Sequence, residues 1–346
     1  MTETESSDGF DTAPLDAWMR QNVESYEGPI EIDKFPGGQS NPTYKLTTPG
    51  HQYVLRRKPP GKLLQGAHAI EREFRIISAL EPLDFPVPHT HGLCEDPAVV
   101  GTPFFVMDMV PGRIFWDPRL PEIPAGERRA YYDSMCATIA RLHGIDYESA
   151  GLGDYGKPVQ FVERQIALWS RQYLQDEVAG RIEAMDRLVE WLPGNIPDEA
   201  GAASIVHGDF RCDNLIFHPV EPHVVAVLDW ELSTLGHPLA DFTYHLMVYR
   251  LPPGLPASLH GADFDALGIP DEAEYTAAYC EHTGRGEIPG LDFYLAFNMF
   301  RLAAIIHGVK GRLLRGNASN KRADQLISHL ELLAEAAWMQ AEKTGA

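Results

Sequence analysis

Three polar side chains in this sequence are of the right type and spacing to do chemistry together. Asp209 and Asn214 lie five positions apart in HGDFRCDNLIF (207–217), and Asp229 closes the apolar run HVVAVLD (223–229). Polar groups at the ends of apolar strands need partners, because burying them alone is costly. An acid, an amide and a second acid suit phosphoryl transfer from a nucleotide, a reaction in which positioning and charge neutralisation dominate and little covalent work falls to the protein. Asp209 is the candidate catalytic carboxylate, orienting an acceptor hydroxyl and taking its proton. Asn214 and Asp229 are the candidate Mg2+ ligands, since this ion takes hard oxygens, keeps several waters and is completed by phosphate oxygens. NLIFHP, a VEPH turn and VVAVLD read as a hairpin with Asn214 at its entrance and Asp229 at its exit. Antiparallel pairing brings those two ends together. An isolated Asp before a loop is usually a turn or cap residue. The joint spacing, which is that of the protein-kinase catalytic loop and its second metal-binding Asp, carries the reading.

Neighbouring residues are expected to support this set. His207 reads as structural, hydrogen-bonding backbone near the metal-bearing turn. Asp241, in GHPLADF, is expected to accept backbone or His207 hydrogen bonds and stiffen the loop; a carboxylate favoured by a helix N-terminus explains it nearly as well. Cys212 is as well explained by packing.

Upstream, FPGGQSNPTYKL offers Gly37, Gly38, Ser40 and Asn41 between two strand-like segments, where backbone N–H groups can bend over a phosphate. A tight hairpin turn has the same composition. In YVLRRKPPG, alternation puts Val54, Arg56 and Lys58 on one face and Arg57 on the other. Arg56 is the favoured phosphate-contacting cation, with Lys58 next. On the helix AHAIEREFRIISAL, Glu73 shares the inward face with Ile70 and Ile77 and is the expected partner of that cation, whereas Glu71 is rotated away. Backbone groups from Asp108 to Val110, in TPFFVMDMVPG, are expected at an adenine edge, with Phe105 and Met107 flanking the base.

The elements that must position these residues follow from periodicity. Leu15, Trp18, Met19, Asn22 and Val23 make a helical stripe, and IEIDKFP, NPTYKLTT and HQYVLRRK alternate as an antiparallel meander. A helix over 67–80 and a central strand TPFFVMDM complete a first unit, 1–110, ended by VPG. The second unit, 111–346, is mainly helical, with amphipathic patterns over 125–144, 159–178, 181–192, 237–250, 271–284, 291–314 and 319–342. SIVHGDF, NLIFHP and HVVAVLDW form a small β-insert within it. LPPGLPASLHG (251–261) reads as a surface loop.

Composition narrows the function classes. With 346 residues and 44% hydrophobic content, about two units of roughly 150 residues are expected. A formal net charge of −20 argues against general binding to nucleic acid or anionic membrane. No run approaches the roughly 18 apolar residues of a membrane span, and the acidic start does not resemble a secretory signal, so a cytoplasmic protein is expected. The four scattered cysteines fit free thiols better than disulfides or a zinc site.

The segments GGQSNPTY, VLRRKPPG, AHAIEREFR, MDMVPG, HGDFRCDNLIF and LDWELSTLGHPLADF together resemble the aminoglycoside phosphotransferase-like, choline-kinase-related kinases. VLRRKPPGKLLQGAHAIEREF and LDWELSTLG are similar to the branch related to the kinase-like domain found ahead of acyl-CoA dehydrogenase. The resemblance implies an α+β, bilobal protein-kinase-like fold: an N-lobe of antiparallel sheet plus helix, and a larger, mainly helical C-lobe. It also implies ATP and Mg2+, with Asp209, Asn214 and Asp229 in the roles given above. Two positions depart from the family pattern: Arg stands where many members carry the phosphate-contacting Lys, and His237 stands where this branch commonly has an acid.

The acceptor is expected to be a small molecule bearing a hydroxyl. Tyr294, Asn298 and Arg301 share one face of an otherwise apolar helix; they either anchor an acceptor carboxylate or phosphate, or bind Trp230, Glu231 or a backbone carbonyl. Trp230 and Glu231 themselves join the candidate acceptor-binding set. An Arg in an apolar pocket suggests a hydroxy acid or hydroxyacyl thioester; an aminoglycoside or choline-type acceptor and a catalytically silent nucleotide-binding protein are the alternatives. A metal-dependent hydrolase is disfavoured, because His207, Asp209 and Asp229 lack the HExxH spacing.

Overall fold

A computed structural model describes residues 10–35, 41–61, 69–198, 203–255, 257–316 and 321–346. The chain opens with α1 (Thr12–Asn22), whose N-terminus is capped by the Asp11 carboxylate accepting from Ala13 N. Strands β1 (Glu31–Lys34), β2 (Thr43–Thr47) and β3 (Gln52–Arg57) follow as an antiparallel meander, then α2 (Ile70–Leu80), β4 (Thr90–Cys94), the short α3 (Pro97–Val100) and β5 (Phe104–Asp108). The sheet order is β1-β2-β3-β5-β4, antiparallel throughout.

Strict alternation divides the two faces of this sheet. Tyr53, Leu55, Phe104 and Val106 pack under α1 with Leu15 and Met19, while Val54, Phe105 and Met107 face α2 and the larger core. Arg56 lies on the second face, and Glu73 is buried in the same α2 stripe as Ile70, Ile76, Ile77 and Leu80. Strand period and helix period therefore aim one cation and one carboxylate at each other.

After Val110–Gly112 the chain joins the second half, where Arg113 and Phe217 exchange backbone hydrogen bonds of 2.8 and 2.9 Å. Gly112 is needed there, since a Cβ would sit 2.3 Å from Phe217 O. The helices are α4 (Ala125–His143), α5 (Phe161–Gln175), α6 (Glu183–Trp191), α7 (Pro238–Leu246), α8 (Phe264–Leu267), α9 (Glu272–Thr283), α10 (Leu291–Leu314), α11 (Lys321–Ser328) and α12 (Leu330–Glu342). Helix α10 is central, packing on α5, α7 and α12, and α4 packs on α9. Two small ribbons lie among the helices: β7 (Leu215–Phe217) pairs with β8 (Val224–Val227), and β6 (Ser204–Val206) pairs with β9 (Thr234–Gly236).

The pattern over 319–342, expected as one helix, is broken at His329 into α11 and α12. The loop 251–261 is no mere surface loop, because Leu251, Leu255 and Leu259 are buried. Strand β9 escapes sequence reading because Thr234–Gly236 lacks the run of branched apolar residues that marks the equally short β6 and β7. Among the described residues, no helix is long and apolar enough to cross a membrane.

Candidate active site

The loop between β6 and β7 is built on buried hydrogen bonds. Asp241, on α7, accepts from His207 N and Gly208 N, both at 2.8 Å, and faces His143 Nε2 at 3.2 Å. Burial pushes the Asp241 carboxyl up, but the His143 contact and the bond from the His207 backbone outweigh it and hold it below the usual range. His207 Nε2 donates to Leu228 O at 2.8 Å while its Nδ1 accepts from Asp209 N at 3.2 Å, which sets a neutral tautomer. Gly208 sits at φ 84 with its would-be Cβ 2.9 Å from Leu232 O, so the turn takes glycine.

On that turn the Asp209 carboxylate has two donors. Tyr244 Oη donates to Oδ1 at 2.7 Å, and Asn214 Nδ2 donates to Oδ2 at 3.1 Å and to Asp209 O at 2.8 Å. Burial keeps the Tyr244 phenol protonated far above its usual range, so it is always the donor. With Nδ2 committed, Oδ1 is the atom Asn214 offers a cation. Pairing of Leu215 with Val227, and Leu228 N donating to Asn214 O at 2.8 Å, bring the two ends of the β7–β8 hairpin together as its sequence pattern predicts.

Asp229 follows immediately, at φ 64 and ψ 60, a left-handed backbone that a non-glycine residue adopts at a cost of about 1 kcal/mol. Its Oδ1 meets Arg56 Nη2 at 2.8 Å, and Arg56 Nε lies 2.7 Å from Glu73 Oε2. Asn41 Nδ2 donates to Glu73 Oε1 at 2.7 Å. Burial pushes the Glu73 carboxyl up to about 7 against the pull of Arg56, with Asp229 and Glu231 adding repulsion. Glu73 and Asp229 thus share one guanidinium, with Glu231 electrostatically near it. This surplus negative charge, next to the hard oxygens of Asn214 and Asp229, fits Mg2+.

Arg56, Glu73, Asp108, Val110, Asp229 and Trp230 line one cleft of about 230 Å³, with Val54, Phe105 and Met107 forming an apolar wall. The N–H groups of Asp108 and Met109 are committed to His89 O (2.8 Å) and Gln52 O (3.0 Å). A larger, more open groove of about 680 Å³ runs along the connector past His51 and Gly112, away from Asp209 and Asp229.

The sequence profile of a phosphotransferase enzyme family matches residues 31–283. The chain belongs to this phosphotransferase family. It is 46% identical over 320 residues to mouse acyl-CoA dehydrogenase family member 10, covering 92% of this chain and 30% of that protein. It therefore spans less than a third of that relative, and 44% of human acyl-CoA dehydrogenase family member 11. Among solved structures, a putative aminoglycoside phosphotransferase from Ralstonia eutropha JMP134 is 50% identical with a TM-score of 0.89, covering 96% of this chain and 99% of that one. Choline kinase from Cryptosporidium parvum shares the fold at 12% identity, with a TM-score of 0.62 and 96% of each chain covered. The architecture is thus the bilobal kinase-like fold, and the resemblance to the branch associated with acyl-CoA dehydrogenases holds.

Within this phosphotransferase, several expected site residues take other places. Lys58 pairs with Glu71, not with the cleft, because β3 ends at Arg57 and alternation no longer aims its side chain. Arg57 lies on the opposite face, as alternation predicts, and binds Val100 O and Tyr44. The Asn41 side chain is fully buried on Glu73, so it supports the ion pair. Of the two readings of the α10 face, the side chains take the internal one: Asn298 Nδ2 donates to Ala240 O and Thr243 Oγ1, and Arg301 Nη2 donates to Gly208 O. Tyr294 stacks on His237 at 5.1 Å between ring centroids. Trp230 is buried, donating to Val227 O, and meets the cleft only as wall. Glu231 stands electrostatically beside Arg56 and Glu73. Gly37, Gly38 and Ser40 lie outside the described residues. Sequence reading missed Tyr244, His143 and Arg211. Only Arg211, inside the HGDFRCDN loop, carried a local signal.

Proposed function

We propose that this chain transfers the γ-phosphoryl group of ATP to a hydroxyl of a small molecule, with Asp209 as the catalytic carboxylate. The observation that carries the reading is the Asp209 carboxylate held by Tyr244 and Asn214 on one loop, with Asp229 joined to Arg56 at the adjoining cleft. The acceptor oxygen attacks the γ-phosphorus, its bond to the β,γ-bridging oxygen breaks, ADP departs, and the acceptor proton passes to Asp209. Arg56, braced by Glu73, contacts the α- and β-phosphates. Asn214 Oδ1 and Asp229 would hold Mg2+, which supplies charge neutralisation on the phosphate oxygens. Phe105, Met107 and Val110 bind the base.

The acceptor we favour is a hydroxy acid or hydroxyacyl thioester. With Arg301 internal, support comes from Arg211, whose side chain is 44% exposed, leans on Asp213 and places Nε 3.9 Å from Asp209 Oδ1. Similarity to acyl-CoA dehydrogenase family relatives points the same way. ADP release and phosphorylated product, measured over hydroxyacyl-CoAs, hydroxy acids, choline and aminoglycosides, test this. Turnover is expected with the first two classes; turnover with choline or aminoglycosides alone would replace the acceptor, and Mg2+–ATP binding without turnover would replace the enzyme by a nucleotide-binding protein.

A further inference from the structure

A second constellation lies on the N-terminal sheet, where the connector to the second half begins. His51 precedes β3, His91 lies in β4 and Asp108 ends β5, and the order β3-β5-β4 makes them neighbours across three adjacent strands. The register between β4 and β5 shifts between Thr90 and Gly92, so His91 sits at a bulge, a device that re-aims a side chain. Both imidazoles present Nε2 to one oxygen: His51 at 2.8 Å and His91 at 2.6 Å from Asp108 Oδ1. The three ligand atoms all lie within 4.8 Å of one another.

Two imidazole nitrogens thus converge on a single carboxylate oxygen. The geometry points to a binding site for a divalent transition metal of the zinc class, held by His51 Nε2, His91 Nε2 and an Asp108 oxygen. Two nitrogens and one carboxylate suit Zn2+, Ni2+ or Cu2+, whereas Mg2+ takes an all-oxygen set such as Asn214 and Asp229. Tetrahedral bonds of about 2.0–2.1 Å separate adjacent donors by roughly 3.3 Å, so the cluster has to open by little more than about half an ångström. Three protein ligands leave a fourth position for water. Side-chain exposures of 48% for His51, 31% for Asp108 and 12% for His91 give an ion a way in. His89 packs edge-on against His91 with 4.7 Å between centroids and is itself paired with Glu81, which supports the His91 ring. Gln52 O accepts from Met109 N beside this cluster, so a bound ion would clasp β3, β4 and β5 where the connector leaves.

Competing sites can be separated. The four cysteines are buried and offer no thiol. A weaker cluster of His218, Glu221 and His223 occupies the β7–β8 turn, with His218 Nδ1 already accepting from Val220 N and Glu221 N. Calorimetric titration of the full chain with Zn2+, in saturating Mg2+ so that the catalytic cleft is filled, tests the inference together with the visible spectrum of the Co2+ adduct. One equivalent is expected, with four-coordinate Co2+ bands, and affinity more than about tenfold weaker in His51→Gln and in His91→Ala. The His218→Gln/His223→Gln double variant is expected to bind as the parent does. Thermal unfolding verifies that each variant is folded, and His51→Gln, at a half-exposed position, keeps the test decisive if His91→Ala fails. No stoichiometric binding, binding unchanged in His51→Gln, or binding lost in the double variant would overturn the inference.

Discussion

At the scale of single residues, the site depends on how one carboxylate and one guanidinium are held. Asp209→Asn keeps the shape of the loop but removes the proton acceptor, and kcat should fall by several orders of magnitude with the melting temperature little changed. Tyr244→Phe deletes one hydrogen bond to that carboxylate, worth about 1.5–3 kcal/mol for a charged acceptor, so kcat should fall roughly tenfold to a hundredfold while KM for ATP stays near its parent value. A rise confined to KM, with kcat unchanged, would show that the phenol holds nucleotide and not the carboxylate. The contact of Asp209 with Asn214 and the return of the hairpin to Asp229 were readable in the sequence because loop spacing and hairpin pairing are local. Tyr244 was not, since it reaches Asp209 across 35 positions from a helix whose pattern reports only burial.

Helix α7 is the element that ties the site to the rest of the molecule. It supplies Asp241 to the Gly208 turn and Tyr244 to Asp209, and α10 clamps it through Asn298. Asn298→Leu removes the donor to Thr243 Oγ1 and one of the donors to Ala240 O, and stability should drop by about 1–3 kcal/mol, measured by urea unfolding. Two histidines on this helix make its acid response specific. Burial depresses both His237 and His245 to about 4, with Arg285 and His143 adding repulsion at His237. Both are therefore neutral when folded and take up protons on unfolding below their ordinary value of about 6.5. Their contribution to stability is present above pH 6.5 and is lost as the pH falls toward 4. The melting temperature should decline across that window, and His245→Asn should decline less steeply. Helical periodicity located α7 and α10, but their shared polar face was ambiguous, because an apolar helix bearing Asn and Arg looks the same whether those groups meet a ligand or a neighbouring backbone.

At the scale of the whole molecule, the two halves are joined by the connector and by Arg56 reaching Asp229, and ligand binding in the cleft between them should add to that linkage. Mg2+–ATP at about one hundred times its Kd should stabilise the fold by about 2.7 kcal/mol. EDTA or Asp229→Asn should remove most of that gain in thermal unfolding; an equal shift without the metal would show that Asp229 is not a ligand. Most of the architecture was legible: the meander, α2, the helical second half and the small β-insert follow from periods of 2 and 3.6 residues, whereas β9 and the break at His329 did not show. The catalytic loop and its hairpin were legible too, because residues a few positions apart have little freedom to be elsewhere. Alternation already favoured Arg56 over its neighbours, but tertiary structure alone decided what that cation pairs with and what the buried polar groups do. Arg56 and Asp229 meet across 173 positions, and Lys58 is excluded by the end of a strand. Asn298 and Arg301 are answered by carbonyls on other elements, since a side chain's type states what partner it needs, while only the packed chain states where that partner is.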